Sequence, residues 1–529
     1  MRAGFYTDLE FDDLLKQTAA FCVTEQGQAI VRALVWQNKP AKVLEALNFT
    51  NEYVASFSNN NRIPNHGFEP VDAALKLLEI PNSALEIEQI LRLKSIAVSI
   101  NEHLKFFEKF NAYYPNLSKR LSDFVYDDSI AVFLNQYLNR FGEIKDDASG
   151  GLFSIRQQLK TIKSKINQAF GQALQHYDSL GYLDEIRESS MHDRRVLAVI
   201  ATYKKKVKGQ VMSTSKGGSI IYIEPEHSAR LQNDFFNLQQ EEREEIRTIL
   251  KAITSFLRDY LSFFHQAIDY LSQTDAIAAK ARFCEQIEAC LPEISKDEIR
   301  LINAFHPLLL LSNTKKKLPT FPQDIALHDA QRIIVISGPN AGGKSITLKT
   351  VGLLQVMLQT GFLVPVHPHS KMRIFNKILT DIGDNQSIEN QLSTYSYRLK
   401  NMRFFLKNAD DESLFLIDEF GTGSDPELGG ALAEAMLEEF YAQKTTGIIT
   451  THYTNLKMLA DSLPHMINAT MLFDPQNLSP EYKLQIGEAG SSFTFEVAYK
   501  MGIPYRLINK AKKKIQRSKL RFDQSIAKL

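Results

Sequence analysis

Residues 332–345, RIIVISGPNAGGKS, decide the fold of the second half of this chain. The isoleucines and valine at 333–336 predict a buried strand. The next eight residues match the pattern G-x-x-x-x-G-K-S/T in full, and a helix is predicted over 345–360. A glycine-rich loop between a strand and a helix N-terminus suits phosphate binding, because backbone N–H groups converge there at the positive end of the helix dipole.

The loop residues have separate expected roles in binding a nucleotide. Lys344 would reach the β and γ phosphates, and Ser345 would ligate Mg²⁺. A glycine-rich turn that matches by chance is the alternative, and the predicted strand and helix on either side argue against it. The loop positions predicted to bind ATP are Gly338, Pro339, Asn340, Ala341, Gly342, Gly343, Lys344 and Ser345.

A second motif supplies acidic residues. The apolar run at 413–417 predicts another buried strand, and Asp418 and Glu419 follow where it ends. Two adjacent acids at a strand end are costly unless a cation lies beside them. We therefore expect Asp418 to hold the Mg²⁺ shell and Glu419 to polarise the attacking water during nucleotide hydrolysis.

Two further positions are candidates with open alternatives. His452 ends the next predicted strand, at 447–451, where it can sense the γ phosphate or serve only as a structural histidine. Ser393 opens a predicted helix between the two nucleotide motifs. It can be a helix N-cap, or it can bind a phosphate, including one held by another subunit.

The chain turns basic between two predicted helical arms, one over 155–170 and one that begins near residue 229. Residues 194–216 contain seven Lys or Arg and no Asp or Glu. Apolar β-branched runs on both sides of a glycine-containing turn predict a small β insertion there. An ordinary solvated loop is one interpretation, and contact with nucleic-acid phosphates is the other. The candidate contact residues are Lys204, Lys205, Lys206, Lys208 and Lys216.

The composition excludes several classes of protein. The 529 residues carry a net charge of +1 and are 44% hydrophobic, which excludes a globally basic nucleic-acid coat and a largely disordered chain. Three cysteines indicate no disulfide framework and favour a reducing compartment. The sequence shows no signal peptide and no uninterrupted run of about 18 apolar residues. We therefore expect a cytoplasmic protein without a membrane partner.

In combination, the motifs resemble the MutS family of ATPases, and within it the bacterial MutS-two branch. The resemblance rests on GPNAGGKSITLKTVGLLQVMLQTGFLVP, on LSTY at 392–395, on LIDEFGTGSDP and on TTH at 450–452. It extends to LEFDDLL near the start, IIYIEPEHSARLQND after the basic segment, FHPL at 305–308 and YKLQIG at 482–487. It covers nearly the whole chain.

The resemblance implies a dimeric protein with composite sites for ATP and Mg²⁺. Ser393 would complete the site of the facing subunit, and Tyr482 would lie against adenine. The long helices would form a lever, and the basic β tip would form a clamp that closes on DNA. The implied fold is multidomain: a mostly α-helical core and lever region with a small β-rich clamp tip, followed by an α/β P-loop ATPase domain of the ABC type.

Two departures from the family pattern limit what is carried over. We find neither the mismatch-reading domain with its Phe-x-Glu wedge nor the small nuclease domain of the MutS-two branch. Direct mismatch recognition and nuclease activity are therefore not expected. The predicted domains are a helical core at 1–150, lever helices at 151–300 with the clamp tip at about 194–228, the ATPase domain at 301–505 and a basic helical tail at 506–529.

The expected function is that of an ATP-dependent DNA-structure-binding homodimer in DNA repair or recombination control. Its expected DNA partner is a branched or distorted duplex. The alternative is a ribosome- or RNA-associated ATPase of the same family, because the basic tip could contact rRNA phosphates equally well. The basic tail could also bind phosphate, or it could pack as a solvated helix.

Overall fold

The chain divides into two compact units, each assembled from separate stretches of sequence. Unit 1 comprises Met1–Gly67, Lys105–Phe124 and Tyr270–Leu529, and unit 2 comprises Phe68–Leu104 and Val125–Asp269. The four consecutive domains predicted from the sequence stay a prediction. The computed structural model describes residues 5–59, 61–339, 342–383, 394–422, 425–474, 479–491 and 494–514.

The helices of the described residues are, in chain order, α1 (Phe5–Asp8), α2 (Phe11–Ala19), α3 (Glu25–Arg32), α4 (Pro40–Ser58), α5 (Asp72–Leu78), α6 (Ile87–Phe110), α7 (Pro115–Lys119), α8 (Ser129–Tyr137), α9 (Gly150–Ser179), α10 (Glu226–Arg258), α11 (Leu261–Gln286), α12 (Pro307–Lys316), α13 (Lys344–Gln359), α14 (Thr394–Asn408), α15 (Pro426–Ala442), α16 (Thr454–Ser462), α17 (Thr494–Lys500) and α18 (Tyr505–Lys514).

The strands of the described residues are β1 (Leu183–Met191), β2 (Arg194–Ile200), β3 (Gly209–Thr214), β4 (Ile220–Pro225), β5 (Glu293–Ser295), β6 (Ile299–Ala304), β7 (Gln323–Leu327), β8 (Ile333–Ser337), β9 (Lys371–Arg373), β10 (Lys377–Asp381), β11 (Ser413–Ile417), β12 (Thr446–Thr450), β13 (Met466–Asp474) and β14 (Ser479–Ile486). A 3-10 helix, Ala201–Lys206, joins β2 to the segment before β3.

Unit 1 contains a six-stranded sheet in the order β10-β11-β12-β8-β13-β14. Neighbouring strands are parallel, except that β13 and β14 are antiparallel. All five residues of β8, β11 and β12 are buried. Burial on both faces explains why these strands are continuous apolar runs. They confirm the three strands predicted near 332–337, 413–417 and 447–451.

Helices cover both faces of this sheet, because alternate side chains of a strand point to opposite faces. Ile334 and Ile336 of β8 pack on one side in a core that includes residues of α13. Ile333 and Val335 pack on the other side with residues of α14, α15 and α16. The mixed helical and α/β composition predicted from the sequence is therefore confirmed. The observed α13 also corresponds to the helix predicted over 345–360.

Unit 1 holds a second sheet that the sequence did not predict. Its order is β5-β9-β6-β7, with β5 and β9 parallel and the other pairs antiparallel. β5 and β9 are three residues each and lie far apart in the chain. Segments this short carry no detectable periodicity, so only the folded structure reveals their pairing.

Unit 2 contains a four-stranded antiparallel sheet, β1-β2-β4-β3, inserted between the long helices α9 and α10. Its small core joins Leu197, Val199 and Ile223 of the sheet to Phe170 of α9. The predicted β insertion is therefore present, and its first strand was missed because LDEIRESSM is mostly polar. Along the described ranges of the chain, no helix combines the length and apolarity needed to cross a membrane.

Candidate nucleotide site and basic surface

Left-handed glycines shape the loop that joins β8 to α13. Gly338 has a φ of 122° and Gly343 a φ of 96°, a region that residues with a β-carbon rarely adopt. Gly343 directly precedes the first turn of α13. Asn340 and Ala341 lie outside the described residues, so their predicted contacts stay a prediction.

Lys344 is the first residue of α13, and its side chain folds back over the loop. Its buried Nζ donates hydrogen bonds to the carbonyl oxygens of Gly338, at 2.6 Å, and Pro339, at 3.0 Å. Burial lowers the Lys344 pKa to about 8, although the negative charges of Asp418 and Glu419 act in the opposite direction. The loop therefore holds an ammonium group beside two acids. Ser345 follows on α13 and is partly exposed.

The acidic pair is fixed from the neighbouring strand by one hydroxyl group. Asp418 is buried directly after β11, and its Oδ1 accepts a 2.5 Å hydrogen bond from Thr450 Oγ1. The same hydroxyl oxygen accepts a 2.7 Å hydrogen bond from the Glu419 amide. Sequence reasoning assigned no role to Thr450. A threonine at the end of the strand next to the acids is the signal that could have indicated one.

His452 follows β12 and is exposed. Desolvation of the imidazole by the surrounding protein and the positive charges of Lys344 and Lys457 lower the His452 pKa to about 4, against the opposing effect of Asp418. The imidazole is therefore neutral at pH 7, with one nitrogen able to donate and the other able to accept a hydrogen bond. The structure thus brings His452, Lys344 and Asp418 to the same edge of the sheet.

Lys457 is a further cation near this site that sequence reasoning missed. It lies on α16, is buried, and donates a 2.8 Å hydrogen bond from Nζ to the carbonyl oxygen of Gly490. The Gly490 amide in turn donates to Ser337 Oγ at 2.6 Å, beside the start of the phosphate loop. No motif marks Lys457, because its contact depends on a segment 33 residues away.

Tyr482 lies beside the loop. Its ring is stacked on Phe321, with the centroids 5.5 Å apart and an angle of 28° between the planes. Its Cδ1 lies 3.5 Å from where a β-carbon on Gly343 would stand. The tyrosine is 40% exposed, which leaves ring surface free for a ligand. Ser393 lies outside the described residues, so its predicted role stays a prediction.

The oxygen ligands present fit Mg²⁺ bound together with nucleotide phosphates. Ser345 offers a hydroxyl and Asp418 a carboxylate, and Mg²⁺ is commonly held by one or two such groups plus phosphates and water. Among the described residues, no group of three or more His, Cys, Asp or Glu is arranged to hold a metal ion by protein ligands alone. Phosphate oxygens would therefore have to complete the shell.

Two of the seven cations at residues 194–216 in unit 2 form ion pairs within the protein, and five form none among the described residues. Arg194 Nη1 pairs with Glu224 at 2.8 Å, and Arg195 pairs with Glu188 at 2.5 Å. Within the described part of the chain, none of the remaining cations of residues 194–216 forms an ion pair, and all are exposed. These unpaired cations, called the lysine surface below, are Lys204, Lys205, Lys206, Lys208 and Lys216.

The lysine surface is backed by stacked tyrosines. Tyr182 and Tyr203 have ring centroids 4.6 Å apart and planes at 19°. Lys206 Nζ lies 5.5 Å from the first ring centroid and 5.6 Å from the second. The 3-10 helix, rather than a β-turn, therefore presents three of the five lysines, and the tyrosines fix its position.

A glycine-rich loop of this pattern, between a buried parallel strand and a helix, defines the class of P-loop α/β proteins. A family model described as MutS domain V matches residues 334–519. The chain is also 30% identical over 525 residues to a protein of Thermotoga petrophila named Endonuclease MutS2, an alignment that covers 99% of this chain and 67% of the relative. The chain belongs to the MutS family, in its MutS2 branch.

Other relatives carry the same name. Endonuclease MutS2 of Geobacillus sp. strain WCH70 is 32% identical over 531 residues, which cover 98% of this chain and 66% of the relative. Endonuclease MutS2 of Carboxydothermus hydrogenoformans is 36% identical over 422 residues, 80% of this chain and 53% of the relative. The chain thus spans about two thirds of the length of these relatives or less.

Proposed function

We propose that this chain is an ATPase that couples nucleotide hydrolysis to the binding of branched or distorted duplex DNA. The observation that carries the proposal is the meeting of Lys344, the Asp418–Glu419 pair and His452 at one edge of the six-stranded sheet. Such a combination of a cation, two acids and a neutral imidazole suits the binding and hydrolysis of a nucleoside triphosphate.

Each residue of the site has a separate proposed role in binding or hydrolysing the nucleotide. The loop amides and Lys344 would hold the phosphates, and Ser345 and Asp418 would hold Mg²⁺. The ion would neutralise charge on the β and γ phosphates. Glu419 would orient and polarise the attacking water, and His452 would hydrogen-bond the γ phosphate. Tyr482 would stack on adenine, and Ser393 of a second copy would complete the site in a homodimer.

The lysine surface is the proposed contact with DNA. Five exposed lysines without internal ion pairs can each neutralise a backbone phosphate, which makes binding sensitive to salt and largely independent of base sequence. This pattern suits recognition of DNA structure in repair or recombination control. The proposal keeps the four predicted domains, in which α9 and α10 act as lever helices, and it keeps a cytoplasmic location.

Nuclease activity is a separate question. The relatives' names contain the word endonuclease, whereas the sequence predicts no nuclease activity for these 529 residues. We propose ATP hydrolysis as the only chemistry of this chain. Incubation of the purified chain with supercoiled plasmid and Mg²⁺ tests this, and conversion to nicked or linear DNA would contradict it.

The deciding experiment measures the ATPase rate with linear duplex, four-way-junction DNA or ribosomes added. The Glu419→Gln variant serves as the blank, because it removes the carboxylate and preserves its shape. We expect stimulation by junction DNA above that by duplex. Stimulation by ribosomes alone would instead favour the ribosome-associated ATPase and would place rRNA on the lysine surface. A wild-type rate equal to the blank would contradict ATP hydrolysis itself.

A further inference from the structure

The backbone of Glu419 has a conformation that other parts of the chain must hold in place. Its φ is 50°, in the left-handed region that residues with a β-carbon seldom adopt. Such a residue persists only when its surroundings fix the backbone. The Thr450 hydroxyl fixes the amide side of Glu419. Other donors contact the Glu419 carbonyl oxygen.

The Glu419 carbonyl oxygen accepts three hydrogen bonds. Two come from Thr422, whose amide lies at 3.1 Å and whose Oγ1 lies at 2.9 Å. The third comes from Arg398 Nη1 at 3.0 Å. Arg398 Nη1 also donates to Thr422 Oγ1 at 2.6 Å, so one guanidinium group ties both ends of the Glu419–Thr422 turn.

Arg398 acts on the main chain and not on a carboxylate. Within the residues that the structure describes, it forms no ion pair, and its contacts are a carbonyl and a hydroxyl oxygen. Hydrogen bonds from a charged donor are roughly twice as strong as those between neutral groups. The positive charge is therefore used to hold the turn that carries Glu419.

The helix that carries Arg398 also holds the other acid. Asn401, one turn further along α14, donates a 2.7 Å hydrogen bond to Asp381 Oδ1. The Asp381 carbonyl oxygen accepts a 2.9 Å hydrogen bond from the Asp418 amide. α14 is thus connected to Asp418 through Asp381 and to Glu419 through Arg398. Hydrogen bonds from this one helix therefore help to fix the main chain of both acids.

A small cleft beside the turn is lined by residues of α14, of the turn and of α15, including Arg398, Glu419 and Met436. On the other side of the turn, the Tyr453 hydroxyl donates a 3.1 Å hydrogen bond to the carbonyl oxygen of Gly421. The Arg398 hydrogen bonds therefore hold the turn on the side that faces α14.

We propose that Arg398 is a positioning residue for ATP hydrolysis, because its hydrogen bond to the Glu419 carbonyl fixes the turn from which the Glu419 carboxylate reaches the attacking water. The inference rests on the proposed function. It differs from a role in nucleotide binding, since it predicts a loss of turnover with retained ATP affinity. It differs from a purely structural role, since the loss depends on the donor and not on the stability of the fold.

The test uses Arg398→Gln, Arg398→Lys and a matched control, Arg403→Gln. Arg403 lies on the same helix, is exposed, and makes no hydrogen bond or ion pair among the described residues. We expect Arg398→Gln to lower kcat by about tenfold or more, as small misplacements of reacting groups do. Its Kd for a fluorescent ATP analogue and its Tm should match those of Arg403→Gln. Arg398→Lys should recover part of kcat, because it retains a charged donor.

A double-mutant cycle provides a second route that does not depend on Arg398→Gln folding well. Thr422→Val removes a neutral donor to the same carbonyl, so it should lower kcat less than Arg398→Gln does. Its kcat is measured alone and in combination with Arg398→Lys. If both residues hold the Glu419 turn, the combined loss differs from the product of the single losses. Independent losses would contradict a shared action on Glu419.

Three results would overturn the inference. A kcat of Arg398→Gln equal to that of Arg403→Gln would show that the turn does not need the guanidinium. An ATP affinity that falls in parallel with kcat would make Arg398 a nucleotide ligand. A Tm that falls in parallel with kcat would make its role structural. Failure of the proposed function is distinguishable, because the wild type would then show no turnover above Glu419→Gln.

Discussion

The edge of the six-stranded sheet and the lysine surface use charge in opposite ways. At the sheet edge, Lys344 and Asp418 are buried; Lys344 donates a short hydrogen bond to the Gly338 carbonyl oxygen, and Asp418 accepts one from Thr450. On the lysine surface the charges are exposed and lack internal ion pairs. Buried charges are costly unless they are paired or hydrogen-bonded, whereas exposed charges are not. The first region is therefore built for precise placement and the second for long-range attraction.

This difference predicts different sensitivity to substitution. At the sheet edge the loss of one atom leaves a buried partner unsatisfied, so single changes should have large effects. On the lysine surface each charge contributes a similar and separate amount, so effects should be modest and should accumulate. Substitutions in the two regions test this contrast, and a buried carboxylate elsewhere in unit 1 sharpens it, from the largest expected effect to the smallest.

Glu419→Gln should give the largest effect. The change preserves shape and removes the charge that would polarise the attacking water, and loss of a general base typically costs about 10²–10⁴ in rate. We expect ATP turnover to fall by at least about 10²-fold, with retained binding of a fluorescent ATP analogue. Turnover within a few fold of the wild type would exclude Glu419 from the chemistry.

The contrast also explains which features could be predicted from the sequence. β8, β11 and β12 were predictable because strands buried on both faces are continuous apolar runs, and the loop and acids directly follow two of them. The role of Thr450 was not predictable in the same way, since its hydroxyl meets residues 31 and 32 positions away. Pairing at that distance leaves no local pattern.

The number of cations at residues 194–216 could be predicted from the sequence, but which of them form internal ion pairs could not. Counting charges identified seven cations at 194–216. Only the folded sheet shows that Arg194 and Arg195 are neutralised by Glu224 and Glu188, which brings five cations to the surface instead of seven. Counting charges along a sequence therefore overestimates a basic surface wherever strands place acids beside the cations.

Thr450→Val should give the second largest effect. Valine has the shape of threonine and suits a buried strand, but it removes the hydroxyl that joins Asp418 Oδ1 to the Glu419 amide. Each partner left unsatisfied in a buried site costs about 1–3 kcal/mol. We expect turnover to fall by about one order of magnitude or more. Thr446→Val, on the same strand, is the control, and equal rates in both variants would contradict the role of Thr450.

Charge reversal on the lysine surface should have a smaller effect that depends on salt. Lys204→Glu combined with Lys205→Glu removes two phosphate contacts, so the slope of log K against log salt should fall by about 2. Affinity for junction DNA should fall by about tenfold at low salt, with the DNA-independent ATPase rate unchanged. The control reverses the same amount of charge in unit 1, with Lys315→Glu and Lys316→Glu, which are also exposed. Equal losses in both variants would indicate a general charge effect and no specific surface.

The smallest predicted effect concerns a buried carboxylate of unit 1 that lies in neither region. Asp275 accepts hydrogen bonds from the Thr24 amide at 2.8 Å, from Thr24 Oγ1 at 2.6 Å and from the Val23 amide at 3.0 Å. His66 Nε2 lies 3.2 Å from its Oδ1. Burial alone would raise the Asp275 pKa, but these hydrogen bonds outweigh it and lower the pKa below the ordinary value of 3.8. The ionised carboxylate therefore stabilises the start of α3.

Asp275→Asn should lower the free energy of unfolding at pH 7 by about 1 kcal/mol, the difference between hydrogen bonds to charged and to neutral acceptors. Because the native pKa lies below the unfolded one, this stabilisation is complete above about pH 4. It is lost as the pH falls through the native pKa. Urea unfolding of both proteins at pH 7 and in steps towards pH 3 measures it, and we expect the two curves to converge in acid. A constant difference across that range would mean that the carboxylate contributes through packing and not through its charge.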